Sequence, residues 1–70
     1  MKLFRIERII DGDIARNSYI HFEDVGEAAK YTALLVRRNE HITKANLYEC
    51  TDESMPKVRQ VKIATFYEYK

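Results

Sequence analysis

Asp11-Gly12-Asp13 separates two runs rich in β-branched and aromatic residues, KLFRIERII (2–10) and IARNSYIHF (14–22). An Asp-Gly step between apolar strands favours a tight reversal, because glycine reaches positive φ without steric cost. The chain therefore begins as an antiparallel hairpin, and side-chain parity selects its register. A strict two-residue turn pairs Phe4 with Tyr19 and Glu7 with Arg16, which leaves Phe4 and Ile6 on a different face from Ile14, Ile20 and Phe22. One more loop residue, or a bulge, pairs Phe4 with Ile20 and Ile10 with Ile14. Phe4, Ile6, Ile10, Ile14, Ile20 and Phe22 then share one face. The second register is predicted, at the cost of setting Arg8 opposite Arg16.

Asp24-Val25-Gly26-Glu27 has the D-x-x-E form of a capping box and predicts a helix starting at Val25. Val25, Ala28, Ala29, Thr32, Leu35 and Val36 recur at helical spacing, while Arg37 and Arg38 fall at the negative end of the helix dipole. The stripe is narrow and made largely of small residues, so this helix can approach a sheet closely. Gly26 either permits close backbone packing or costs about 1 kcal/mol relative to alanine.

Two further β-rich runs follow, ITKANLYEC (42–50) and KVRQVKIATFYEY (57–69), joined by the polar segment 51–56. They read as a second hairpin. In the last run Val61, Ile63, Thr65, Tyr67 and Tyr69 share one parity, and Val58, Lys62, Ala64 and Phe66 the other. The fold class is α+β: a β-β-α-β-β order predicting one four-stranded antiparallel sheet with a single helix packed on one face. With 70 residues and no linker or repeat, the chain forms one domain over 1–70.

Composition narrows the function classes. The chain is 46% hydrophobic and 33% charged, too apolar for disorder. Its net charge of +1, from 12 basic and 11 acidic residues, excludes an acidic DNA mimic or a polybasic tail. No run approaches the ~18 apolar residues of a membrane span, and Arg5, Glu7 and Arg8 interrupt any signal-peptide core. A cytoplasmic protein without membrane partners is expected. One cysteine, Cys50, forms no internal disulfide, so packing or self-association, as in a homodimer, must hold the fold.

Candidates for chemistry are few. A Cys/His nucleophilic pair requires His21 or His41 beside Cys50, which nothing in the sequence indicates, and Cys50 reads instead as a small hydrophobe at a strand end. His21 and Glu23 provide too few ligands for a stable metal site. A hairpin turn accounts for Asp11-Gly12-Asp13 without a calcium loop. Gly12 and Gly26 are isolated, so no phosphate-cradling motif is present. The expectation is a protein that is not an enzyme and carries no metal or cofactor.

The more informative constellation is the sheet face left without a helix. The preferred register places Leu3, Arg5, Glu7 and Ile9 there beside Tyr19 and His21, with Lys62, Ala64 and Phe66 from the last strand. Tyr and Arg with apolar anchors suit a protein interface. Interleaved rings and cations also suit single-stranded nucleic acid. Arg5, Tyr19, Tyr48, Lys62 and Phe66 are the predicted partner-binding residues, the face of Tyr48 depending on how the third strand pairs. Arg37 and Arg38, with Lys30 and Lys44 near them, form a second candidate, for an anion or phosphate. The last strand, if it lies at an edge, offers Tyr67 and Tyr69 for pairing with another chain, deterred by Lys57, Arg59, Lys62 and Lys70.

In size and element order the chain resembles small phage-encoded accessory proteins, including anti-CRISPR proteins built from a β-hairpin, one helix and further strands. KLFRIERII with IARNSYIHF, EDVGEAAKYTALLVRR, and ITKANLYEC with KVRQVKIATFYEY carry the resemblance over the whole chain. It implies a stoichiometric inhibitor that occludes a surface of a host defence complex, with a protein or ribonucleoprotein partner. It shares no motif and carries over no functional residue.

Overall fold

Strand β1 (Lys2–Ile10) and strand β2 (Ile14–Phe22) pair in the register that parity selects, with Phe4 opposite Ile20 and Ile10 opposite Ile14. The computed structural model describes residues 1–67; Tyr69 and Lys70, named above, lie outside the described residues. The reversal occupies three residues, with Asp11 at φ 53° and Gly12 at φ 75°. Asp11 tolerates the left-handed region better than most side chains, and the turn is held by the entry to the third strand. The Asp11 N–H donates to the His41 carbonyl at 2.7 Å, and the Gly12 N–H donates to Thr43 Oγ1 at 3.2 Å.

Helix α1 (Val25–Arg38) begins at the predicted residue. Asp24, in extended conformation, accepts from the Glu27 N–H at 2.8 Å, the Asp24 half of the capping box. Gly26 is exposed, and a Cβ there would stand 3.2 Å from Asp24 Oδ1 and meet nothing on the sheet. Glycine at this position makes room for the capping carboxylate and has no part in helix–sheet packing. Ala28, Thr32 and Val36 are buried, with Val25, Ala29 and Leu35 half-buried beside them. The Thr32 hydroxyl is satisfied by the Ala28 carbonyl at 2.8 Å.

Strand β3 (Ile42–Cys50) has the predicted bounds, and β4 (Val61–Tyr67) is shorter than its sequence run. Lys57–Arg59 form a 3-10 turn after Pro56, and pairing with β3 ends at Glu49 opposite Val61. The sheet order is β2-β1-β3-β4, all antiparallel, so β1 and β3 are central and β2 and β4 are edges. The core of Phe4, Ile6, Phe22, Ala28, Val36, Ile42, Ala45 and Leu47 lies between the sheet and α1. Phe22 bridges two layers, its ring centroid 5.8 Å from Phe4 and 5.2 Å from Tyr31 of α1. No helix among the described residues is long and apolar enough to cross a membrane.

Candidate interaction surface

Strand register sets the composition of the helix-free face. Tyr19 of β2 stands opposite Arg5 of β1, Arg5 opposite Tyr48 of β3, and Tyr48 opposite Lys62 of β4. Residues directly opposite one another in antiparallel pairs share a face. The four therefore form one row across the sheet, and the pairing of β3 settles the face of Tyr48. The next row, Asn17, Glu7, Asn46 and Thr65, again draws one residue from each strand.

Phe66 does not join them. It stands opposite Ala45 and packs against the core beneath α1, as the parity of Ala64 opposite Leu47 also requires. A bulge in β4 is responsible: the register shifts between Leu47 and Tyr48, leaving Ile63 as the additional residue. One inserted residue reverses the faces beyond it, so Lys62 reaches the helix-free side while Ala64 and Phe66 remain on the helix side. The shared parity read from the sequence for these three residues is corrected accordingly.

Arg5 is only 3% exposed, although no helix covers it. Its Nε donates to Gln60 Oε1 and its Nη1 to Asn17 Oδ1, each at 2.6 Å, and the guanidinium carbon lies 4.1 Å from the centroid of the Tyr48 ring. Glu7 Oε2 is 3.9 Å from Nη1, while Glu7 Oε1 accepts from Asn46 Nδ2 at 3.0 Å. The Thr65 hydroxyl completes the chain, donating to Asn46 Oδ1 at 2.7 Å. Asn17–Arg5–Glu7–Asn46–Thr65 thus links all four strands through polar side chains. Burying a cation is tolerated when its donors are occupied and its face is stacked.

The cover over Arg5 comes from the connection between β3 and β4. Gln60, buried, turns its carbonyl oxygen to Arg5 and its amide to the Met55 carbonyl at 3.1 Å. The connection closes on itself: Asp52 Oδ1 accepts from the Ser54 N–H at 2.8 Å and from the Ser54 hydroxyl. Those bonds, the hydroxyl first, hold the Asp52 carboxyl below its usual range. Sequence reasoning missed Gln60 because it lies in a run that reads as strand; an arginine inside an apolar strand was the available signal that some polar partner must reach it.

Around this closed centre, Tyr19 and Tyr48 are half-buried, and Lys62, His21 and Tyr67 are exposed. Lys44 Nζ lies 6.0 Å from the Tyr67 ring centroid. The anion candidates do not converge. Arg37 lines a groove with Thr65, Phe66 and Tyr67 on the β4 side of α1, Arg38 lines another with Tyr31 and Leu34, and Lys44 lies on the opposite face of the sheet. Cys50 is buried, donating from Sγ to the Leu3 carbonyl at 3.7 Å, and β1 separates it from His21 of β2. Burial raises the Cys50 thiol above its ordinary pKa, outweighing the opposing pull of nearby Arg5. Among the described residues no group of three His, Cys, Asp or Glu side chains is placed to hold a metal ion. No family model, curated protein or solved structure matches the chain.

Proposed function

We propose that the chain is a non-enzymatic interaction module that binds and blocks or regulates a macromolecular partner through the helix-free face of its sheet. The Tyr19–Arg5–Tyr48–Lys62 row carries this reading. It sets two rings and an ammonium on paired strands, with Arg5 as the positioning residue that holds the Tyr48 ring from below. An anchor held in the unbound protein, as the Tyr48 ring is by Arg5, loses little rotamer freedom on binding, which favours affinity. A net charge near zero favours a protein or ribonucleoprotein surface over naked polyanion. The β-β-α-β-β order and small size, shared with phage-encoded accessory proteins, extend the proposal to an anti-CRISPR-like inhibitor acting in the host cytoplasm.

Affinity capture from the native host, followed by mass spectrometry, tests this reading when run beside a Tyr19→Ala, Lys62→Ala double variant. Tyr48 is left in place because its ring also shields Arg5. The expected result is one partner enriched by the parent chain and lost from the double variant, with an unchanged urea midpoint. Equal recovery by both chains rejects the helix-free face. The interleaving of Lys44 with Tyr67 favours a second reading, single-stranded nucleic acid, which requires oligonucleotide binding that weakens steeply with salt.

A further inference from the structure

The helix leaves the turn end of the β1–β2 hairpin uncovered, while Phe4, Ile6 and Phe22 of the same strands are buried beneath it. α1 packs chiefly over β3 and β4 and meets β2 mainly near Phe22. Its flank at Ala33, Val36 and Arg37 opens toward β4. The other flank, Tyr31, Leu34, Leu35 and Arg38, lines a groove of about 360 Å³ on the side where Tyr31 meets Phe22 of β2. These four recur at i, i+3, i+4 and i+7, a second stripe beside the core stripe. The helix rises from Phe22 toward the end of the sheet where Ile42 pairs with Ile10, and Ile10 with Ile14. Its β2-side flank therefore overlooks the distal half of the β1–β2 hairpin.

On that half, Ile14 is 51% exposed and Ile10 is half-buried; Tyr31 at the groove is 40% exposed, and Ile20, opposite Phe4 and nearer Phe22, is half-buried against the core. Between the isoleucines stand Arg8 and Arg16, directly opposite each other on the same face. Like charges so placed repel, yet no carboxylate lies within ion-pair distance of either among the described residues. Arg8 donates from Nη2 to Ser18 Oγ at 2.8 Å, while its Nε is buried with no partner. A buried unpaired donor beside an uncompensated cation pair is costly in the isolated chain. An incoming carboxylate neutralises the cation pair through the guanidinium ends.

We propose that this groove docks an acidic amphipathic helix of a partner protein. Its apolar side chains would lie on Leu34, Leu35 and Ile20, and a carboxylate would bridge Arg8 and Arg16. The occupant follows from charge complementarity: apolar walls take an amphipathic segment, and two arginines lacking a counter-ion require it to be acidic. The site lies on the face opposite the Tyr19–Lys62 row and does not depend on it.

Selection from a displayed library of random 16-residue peptides against the full chain provides the test. Enriched sequences should carry apolar residues at helical spacing with flanking Asp or Glu. A synthetic peptide from that pool should bind at least tenfold more weakly to Arg16→Glu and to Leu34→Asp, and equally well to Tyr19→Ala. Arg16→Glu should also raise the urea midpoint, because the new carboxylate satisfies Arg8 within the chain. Peptides without acidic bias, a lowered midpoint for Arg16→Glu, or no enrichment overturn the proposal. So do weaker binding by Tyr19→Ala alone, oligonucleotide competition, or concentration-dependent dimerisation abolished by Leu34→Asp.

Discussion

At the scale of single residues, Arg5 links the most structure. Its two 2.6 Å hydrogen bonds and its stacking on Tyr48 tie β1 to β2, β3 and the β3–β4 connection. Truncation to alanine strands the buried Gln60 oxygen, breaks the bond to the exposed Asn17 and removes a buried stem, an expected loss of about 3 kcal/mol in urea unfolding. Arg5→Lys should recover less than half of it, since an ammonium on a flexible stem cannot reproduce the planar fork that addresses both amides. Cys50 gives a second prediction. Because burial raises its native pKa, the unfolded state deprotonates first. The associated stability is complete below the unfolded thiol value of about 8.5 and declines as pH rises through the higher native value. Iodoacetamide should therefore modify Cys50 slowly in the native protein and rapidly in urea, and a fast native reaction would show an accessible thiolate.

Elements differ in how far local chemistry defines them. The bounds of α1 were legible because Asp24 and the apolar spacing act within a few residues, and the capping bond is made as the sequence implies. Asp24→Ala should cost about 1 kcal/mol, read as a lower urea midpoint with the slope unchanged. The β1–β2 register was legible for a related reason: hairpin strands are adjacent in sequence, and only one register collects the apolar side chains. β4 was not. Its sequence run reads as strand from Lys57, yet Lys57–Arg59 turn away and Gln60 is drawn to Arg5. No periodicity within β4 announces the additional residue at Ile63, because the bulge exists only relative to β3. Hence Lys62 and Phe66, equal in sequence parity, end on opposite faces.

Across the whole molecule, one helix and one folded-back connection divide the work of covering a four-stranded sheet. α1 seals one face except at the turn end of the β1–β2 hairpin, and the connection seals Arg5 at the centre of the other. Stability should follow that division. In native-state hydrogen exchange, β1 and β3 amides, paired on both sides, should exchange only through global unfolding. Those of residues 51–59, mostly exposed, should exchange by local opening, faster still in Arg5→Ala. Uniform protection across both groups would contradict a cover held by Gln60. The sequence by itself determined the element order, the first hairpin's register and the helix cap, since parity and capping operate between near neighbours. Only the tertiary structure decided the β2-β1-β3-β4 order, the face of Phe66, the burial of Arg5 and the burial of the Arg8 Nε without a partner. These depend on contacts between residues far apart in the chain, where a one-residue slip reverses every side chain beyond it.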